Sequence, residues 1–211
     1  MKKEFKDYLN KNHNFDKLTM ISIIFLISVF AGIFGFVYEV IFYYFNEGVN
    51  TFFWRGGNFL PWINIYAIGA VIIYFLTYNK RKSPLKVFLI SLISCGILEF
   101  ISGLGIYVLF DGLRFWDYNT EILNFGNIYG FVCLRSVLVF GLSSLLLMYI
   151  IVPFIFKLAK TNRKMFIKVS IILFTIVMID EIYNLLITKI FDLPRASYFY
   201  RKIGIKYMSV K

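Results

Sequence analysis

Long apolar runs alternate with short polar segments along the chain, and five runs stand out: 19–45, 60–78, 87–110, 131–156 and 169–191. A mostly apolar stretch of roughly 18 residues or more is long enough to cross the hydrocarbon of a bilayer as a helix. The pattern predicts an all-α integral membrane protein, a bundle of about five transmembrane helices. A polar segment, 1–18, precedes the runs, and a basic, aromatic tail, 192–211, follows them. Gly32 and Gly35 in the first run permit close helix contact. Pro61 falls in the first turn expected for the second, where a helix tolerates proline.

The polar connection after the third run is unlike an ordinary membrane loop, which is short, charged and poor in large aromatics. Within Gly103–Gly141 stand Phe115, Trp116, Asp117 and Tyr118 in a row, then Asn124 and Asn127, Gly126 and Gly130, and finally Arg135 inside the next apolar run. Rings with a polar tip settle at the membrane–water boundary. Asn and Gly suit turns because both tolerate left-handed backbone. One reading is an aromatic interfacial turn. The other is a re-entrant, folded-back element that closes a site.

Composition sharpens the membrane reading. Apolar residues make up 59% of the chain and charged residues 17%, with 25 Phe and 15 Tyr, against roughly 45–50% apolar in soluble domains. The net charge of +11 would suggest nucleic acid in a soluble protein. Here the cations cluster between the apolar runs, where they set orientation and meet anionic lipid, so no nucleic-acid partner is expected. Cys95 and Cys133 both lie in apolar runs and read as small buried hydrophobes. The single histidine, His13, sits in the polar N-terminus. No metal or cofactor motif is recognisable, and there is no HExxH, GxSxG or Gly-rich phosphate loop. An ATP-driven role would therefore need another subunit. Lys, Ile, Phe and Asn abound while Ala is scarce, a bias associated with AT-rich bacterial genomes.

Orientation follows from the cations. Lys2, Lys3, Lys6, Lys11 and Lys17 precede the first run; Lys80, Arg81, Lys82 and Lys86 separate the second from the third; Lys157, Lys160, Arg163, Lys164 and Lys168 separate the fourth from the fifth. The other two connections carry Arg55 and Arg114. The positive-inside rule puts the N-terminus in the cytoplasm of a multi-pass cell-membrane protein. Five spans then leave Arg195, Arg201, Lys202, Lys206 and Lys211 outside. Either late charges count less, or the fifth run breaks at Asp180-Glu181 and returns.

Charged groups in hydrocarbon normally face the protein interior and have partners. Glu39, Arg55, Tyr66 and Arg135 fall in the outward half of this arrangement, beside Trp116, Asp117 and Tyr118, with Glu99 nearer the middle. They are expected to converge on one polar pocket there. Glu39 and Arg135 would serve equally as a static ion pair. Asp117 with Arg114 would serve as a turn cap. Asp180 and Glu181, about 100° apart on a helix, are not expected to point the same way.

These residues also carry a resemblance. Tyr38-Glu39, Arg55-Gly56, the element Pro61-Trp62-Ile63-Asn64-Ile65-Tyr66-Ala67-Ile68-Gly69, Leu98-Glu99-Phe100, Trp116-Asp117-Tyr118 and Asn127-Ile128-Tyr129-Gly130-Phe131-Val132-Cys133-Leu134 follow in order. The chain resembles the bacterial multi-pass membrane family labelled putative ABC-transporter type IV, whose members often carry the label of ABC transporter permease. The likeness runs from about Gly32 to Leu146. It departs at Asn64, where the family has a second Pro, and at Ala67, where it has Gly. A second Glu expected after Glu99 is missing, and about three extra residues lie between Trp116 and Asn127. The resemblance implies transport.

Three functions follow as expectations. The leading one is a permease-like transport component with an ATPase or other membrane subunit as partner, in contact with the lipid bilayer. It would hold a polar or amphipathic ligand at Glu39, Arg55, Tyr66, Glu99, Trp116, Asp117, Tyr118, Asn127 and Arg135. The alternatives are an intramembrane enzyme acting on a lipid or lipid-linked headgroup, with Glu39, Glu99 or Asp117 as acid or base, and a non-catalytic assembly or sensor subunit.

Overall fold

A computed structural model describes residues 2–46 and 52–207, without the side chains of 2–4, 46 and 207. The expected connection at 47–51 and the end of the basic tail, including Lys211, lie outside the described residues. The chain is mostly helical: α1 (Lys2–Asn10), α2 (Lys17–Asn46), α3 (Asn64–Thr77), α4 (Pro84–Leu109), α5 (Leu134–Leu146), α6 (Val152–Thr161), α7 (Arg163–Ile182), α8 (Thr188–Ile190) and α9 (Ala196–Lys202). Two short strands, β1 (Phe53–Trp54) and β2 (Lys206–Tyr207), accompany them. A π-type turn at Leu147–Ile151 carries α5 into α6, and another at Tyr183–Ile187 carries α7 into α8. Among the described residues, three helical stretches are long and apolar enough to cross a membrane: Lys17–Phe45, Pro84–Leu109 and Leu134–Thr161.

The chain divides into two compact units. The first holds residues 1–14 and 68–154. On α4, Val87, Ser91, Cys95, Glu99 and Gly103 are buried, a strict every-fourth-residue stripe that follows from 3.6 residues per turn. Leu89, Ile93, Ile97 and Ile101 lie exposed on the same helix, as expected of a surface meant for lipid rather than water. The buried stripe packs on α5 through small residues. A Cβ on Gly96 would lie 2.8 Å from Val137 Cγ1, and one on Gly141 2.7 Å from Phe88 Cε2, so larger side chains would push the helices apart. Ser83 caps α4 with Pro84 in its first turn. Arg81 is buried rather than free to meet lipid. Its guanidinium donates to the carbonyls of Tyr8, Lys11 and Tyr78 at 2.7, 2.7 and 2.5 Å, and so pins the N-terminal segment.

The second unit holds residues 15–67 and 155–208. Its core gathers Val29, Trp62 and Ala67, with Phe25, Leu60 and Val177 against them. Gly32 and Gly35 admit the Trp62 and Tyr66 rings against α2. The 1–2 connection and the tail meet here. β1 and β2 pair in parallel, Phe53 with Lys206 and Trp54 with Tyr207. The Trp54 ring stacks on Tyr200 at 4.3 Å, and the Tyr200 hydroxyl donates to the Phe59 carbonyl at 2.6 Å.

One expectation about the helices is corrected, and one alternative that the sequence left open is decided. The second apolar run begins its helix at Asn64, so Pro61 stands ahead of the first turn. The Phe59 and Leu60 amides are already committed to a side-chain carboxylate, which holds this stretch in a non-helical bend. The chain also does not break at Asp180-Glu181. Helix α7 runs through both to Ile182, and the irregularity follows as the π-type turn.

Candidate functional site

In the first unit, the connection after α4 folds on itself. The Tyr118 amide donates to Gly130 O at 3.0 Å, Ile128 N to Val132 O at 2.9 Å, and Leu134 N to Phe125 O at 2.8 Å. Its polar side chains build the turn. Asp117 Oδ1 accepts from the Asn119 amide at 3.0 Å and from Asn119 Nδ2 at 2.7 Å, with Arg114 Nη1 at 3.6 Å. Asn127 Nδ2 donates to Asn119 Oδ1 at 2.8 Å, while its own Oδ1 accepts from the Gly130 amide at 2.8 Å. Gly130 has φ +78°, and any Cβ there would collide with Asp117, Asn119 and Arg114; only glycine fits. Trp116 Nε1 donates to Phe131 O at 2.9 Å. The Trp116, Asp117 and Asn127 polar groups therefore hold the connection's shape.

That shape delivers Tyr118 to the buried stripe of α4. The Tyr118 hydroxyl donates to Glu99 Oε1, and Ser136 Oγ, near the start of α5, donates to Glu99 Oε2 at 2.6 Å. Glu99 is only 4% exposed. Ser136 is placed by the start of α5, since its Oγ also accepts from the Cys133 amide at 3.2 Å. Arg135 lies over the Tyr118 ring, 5.2 Å from its centre. It pairs with Glu121 at 2.5 Å, both side chains being largely buried. A continuous polar ladder results: Glu121, Arg135, Tyr118, Glu99, Ser136.

The second unit holds the other expected residues. Arg55 grips Glu39 Oε2 with Nε at 2.8 Å and Nη2 at 2.7 Å, and its guanidinium lies 3.9 Å from the Tyr43 ring centre. Tyr66 sits against Gly35 and 6.3 Å from the Tyr38 ring. Nearby in sequence to Tyr66, the connection 58–64 is held by α7. Asp180 Oδ1 and Oδ2 accept from the Phe59 and Leu60 amides at 3.0 and 2.8 Å, and Oδ1 also from Asn184 Nδ2 at 2.7 Å. Glu181 accepts from Asn58 Nδ2 at 2.6 Å and from Asn64 Nδ2 at 3.3 Å. Asn184 Oδ1 accepts from the Ala196 amide at 3.0 Å, which ties in the tail.

The expected residues thus fall into two sets, one in each unit. Glu39, Arg55 and Tyr66 belong to one; Glu99, Trp116, Asp117, Tyr118, Asn127 and Arg135 belong to the other. The ion pair expected between Glu39 and Arg135 is corrected: Glu39 pairs with Arg55, and Arg135 with Glu121. Asp180 and Glu181 do serve the same segment, because side chains 100° apart can both reach a chain that crosses the helix. Ser136, Glu121, Asn58 and Asn184 were not picked out by sequence. Glu121 lies in the polar connection, where a charge draws no notice, and the other three are uncharged, so pattern alone does not single them out. Among the described residues, no three His, Cys, Asp or Glu side chains converge in a way that could hold a metal ion. Two concave surfaces, lined by Leu18, Arg163, Lys164, Ile167, Lys168, Ile171 and Ile172 and by Leu9, Asn10, Asn12, Asn79, Arg81 and Lys82, involve none of the nine expected residues.

Long apolar helices with lipid-ready faces, and carboxylates buried on them beside hydroxyl, amide and guanidinium donors, define a helical membrane protein with interior polar clusters. A family model confirms the more specific class. Residues 7–185 match the model described as Putative ABC-transporter type IV, and the chain belongs to that family. Searches of curated proteins and of solved structures gave no match.

Proposed function

We propose that the protein is a permease-like component of a membrane transport assembly that binds a polar or amphipathic ligand through its buried carboxylates. The observation that carries this reading is the setting of Glu99. A carboxylate held by two side-chain hydroxyls, on the buried stripe of a long apolar helix, is costly unless its charge is used. Hydroxyls rotate, so Tyr118 and Ser136 can yield their places to a ligand's cation or donor. Arg135, held against Tyr118 by Glu121, supplies an opposite charge for an amphipathic ligand's anionic group. Trp116, Asp117 and Asn127 act as positioning residues that hold Tyr118 at Glu99. Glu39, Arg55 and Tyr66 form a second polar contact surface in their own unit.

The same reading has five membrane spans, with α3 and α7–α8 as the second and fifth and the N-terminus in the cytoplasm. The pairing of the tail with the 1–2 connection supports it, because an odd number of spans brings those two segments to one face. Energy would come from an ATPase subunit, since the chain carries no nucleotide-binding motif. Purification of the full chain from its native membranes is expected to bring down an ATPase in fixed proportion. A lipid-linked compound recovered instead, with no ATPase, would favour the intramembrane enzyme. Cysteines at Gly57 and Asn119 are expected to react with an impermeant thiol reagent in whole cells, and one at Ser83 to stay protected. The reverse pattern would overturn the orientation.

A further inference from the structure

One concave surface lies within the second unit, where the start of α7 meets the start of α2, and it has a volume of about 390 Å³. Its lining sorts along the helix. Lys164 opens it, Ile167 and Lys168 stand one turn on, and Ile171 and Ile172 follow, with Leu18 completing the apolar bed. From Lys164 to Ile172 the helix rises about 12 Å at 1.5 Å per residue, roughly from a headgroup's level into the upper acyl chains. Arg163 is already engaged. Its Nε and Nη2 donate to Asp16 Oδ2 and Oδ1 at 2.9 and 2.8 Å, and Nε also reaches Thr19 Oγ1 at 3.1 Å. That clamp fixes the two helix starts against each other and neutralises its own cation. Lys164 and Lys168 have no carboxylate partner among the described residues, and both are exposed. Two uncompensated cations therefore edge an apolar bed.

We infer that this groove is a binding site for one anionic glycerophospholipid, with its phosphodiester on Lys164 and Lys168 and an acyl chain along Ile167, Ile171, Ile172 and Leu18. Charge complementarity selects the occupant. A zwitterionic lipid would bring its ammonium up to two lysines, while a headgroup without a cation presents only negative charge. Free phosphate would satisfy the lysines but leave the apolar bed uncovered, and the bed makes up most of the lining.

The test uses the full-length protein in nonionic detergent, with phosphatidylglycerol and phosphatidylcholine of equal chain length added in equal amounts and retained lipid counted by native mass spectrometry. Wild type is expected to retain one phosphatidylglycerol in preference to phosphatidylcholine. Lys164→Gln with Lys168→Gln is expected to cut that preference by about tenfold or more, as two lysines near an anionic headgroup should. A charge-matched control, Lys157→Gln with Lys160→Gln, should leave it in place. Ile171→Ser should weaken retention of both lipids while leaving the preference between them. Inorganic phosphate at millimolar concentration should not displace the lipid; displacement would make the site one for a free anion and overturn the proposal. Equal retention of phosphatidylglycerol by wild type and the Lys164/Lys168 variant would overturn it too. Both lysines are exposed, so the glutamines should fold, and an unshifted melting temperature checks that they do.

Discussion

Glu99 and Asp180 are both carboxylates on long helices, 4% and 6% exposed, yet they are held by different kinds of donor. Asp180 takes the Phe59 and Leu60 backbone amides and the Asn184 side chain. Those amides are fixed by the path of the chain and have no helix or sheet partner to return to. Glu99 takes the hydroxyls of Tyr118 and Ser136, and a hydroxyl can turn to another acceptor. Ser136 Oγ already lies 2.8 Å from the Cys133 carbonyl. Burial alone therefore does not distinguish a structural carboxylate from one that can change partners. The donor does: fixed backbone amides hold Asp180, whereas rotatable hydroxyls hold Glu99.

The largest stability effect should follow from removing the Asp180 carboxylate. Asp180→Ala leaves the part-buried Phe59 and Leu60 amides without their acceptor, while Asn184 Nδ2 keeps the Asp180 carbonyl at 3.0 Å, and each unsatisfied buried group costs about 1–3 kcal/mol. A loss of about 2 kcal/mol or more is expected, read as a lower melting temperature in detergent. Asp180→Asn keeps one carbonyl oxygen and should recover part of it. If the alanine variant melted like wild type, Asp180 would not hold this segment and the contrast with Glu99 would collapse.

At Glu99 the order of effects should reverse. Glu99→Gln keeps an oxygen for Tyr118 or Ser136, so stability should change by about 1 kcal/mol or less. If the protein is the permease-like component proposed above, its function depends on the charge, and ligand transport should fall by about tenfold or more, equivalent to about 1.4 kcal/mol. Tyr118→Phe and Ser136→Ala each remove one exchangeable donor and should give intermediate losses of transport at normal membrane levels. Transport unchanged in Glu99→Gln would make Glu99 a second structural carboxylate.

Much of this was legible in the sequence, and the boundary between read and unread has a physical reason. The runs that became α2, α4 and α5–α6 are long and apolar, and such runs state their structure locally. Glu99 was legible because a lone carboxylate in an apolar run needs an explanation wherever it points. Gly32 and Gly35 announced a close approach, and Trp62 and Tyr66 fill it. Partnerships were not legible. Arg135 meets Glu121 rather than Glu39 because a folded connection brings Glu121 back across a gap of fourteen residues, and a local pattern that suggests folding back does not say which side chains then meet. The start of α3 moved from Leu60 to Asn64 for a similar reason: a carboxylate from α7 captured the amides that a first helical turn would have left open.

The smallest effect concerns a carboxylate at the solvent-exposed extreme of the same contrast. Asp16 and Arg163 form a bidentate pair with both side chains about half exposed, 47% and 52%, where water and salt screen most of the attraction. The hydrogen bonds from Arg163, then those from Thr19, hold the Asp16 carboxyl well below the usual carboxylate range. The sign follows from linkage. Above the unfolded value of about 3.9, Asp16 is ionised whether the chain is folded or not, and the pair's contribution is fully present. Below it the unfolded chain takes up a proton that the folded chain resists, so the contribution drains away as pH falls toward the depressed folded value. The melting temperatures of wild type and Asp16→Asn should therefore differ by a small, constant amount from pH 8 to about pH 5. That gap should close below about pH 4 and narrow in high salt at neutral pH. A gap that instead widened in acid would mean that the folded chain takes up the proton more readily than the unfolded one, and the pairing with Arg163 would not be what holds the Asp16 carboxyl ionised.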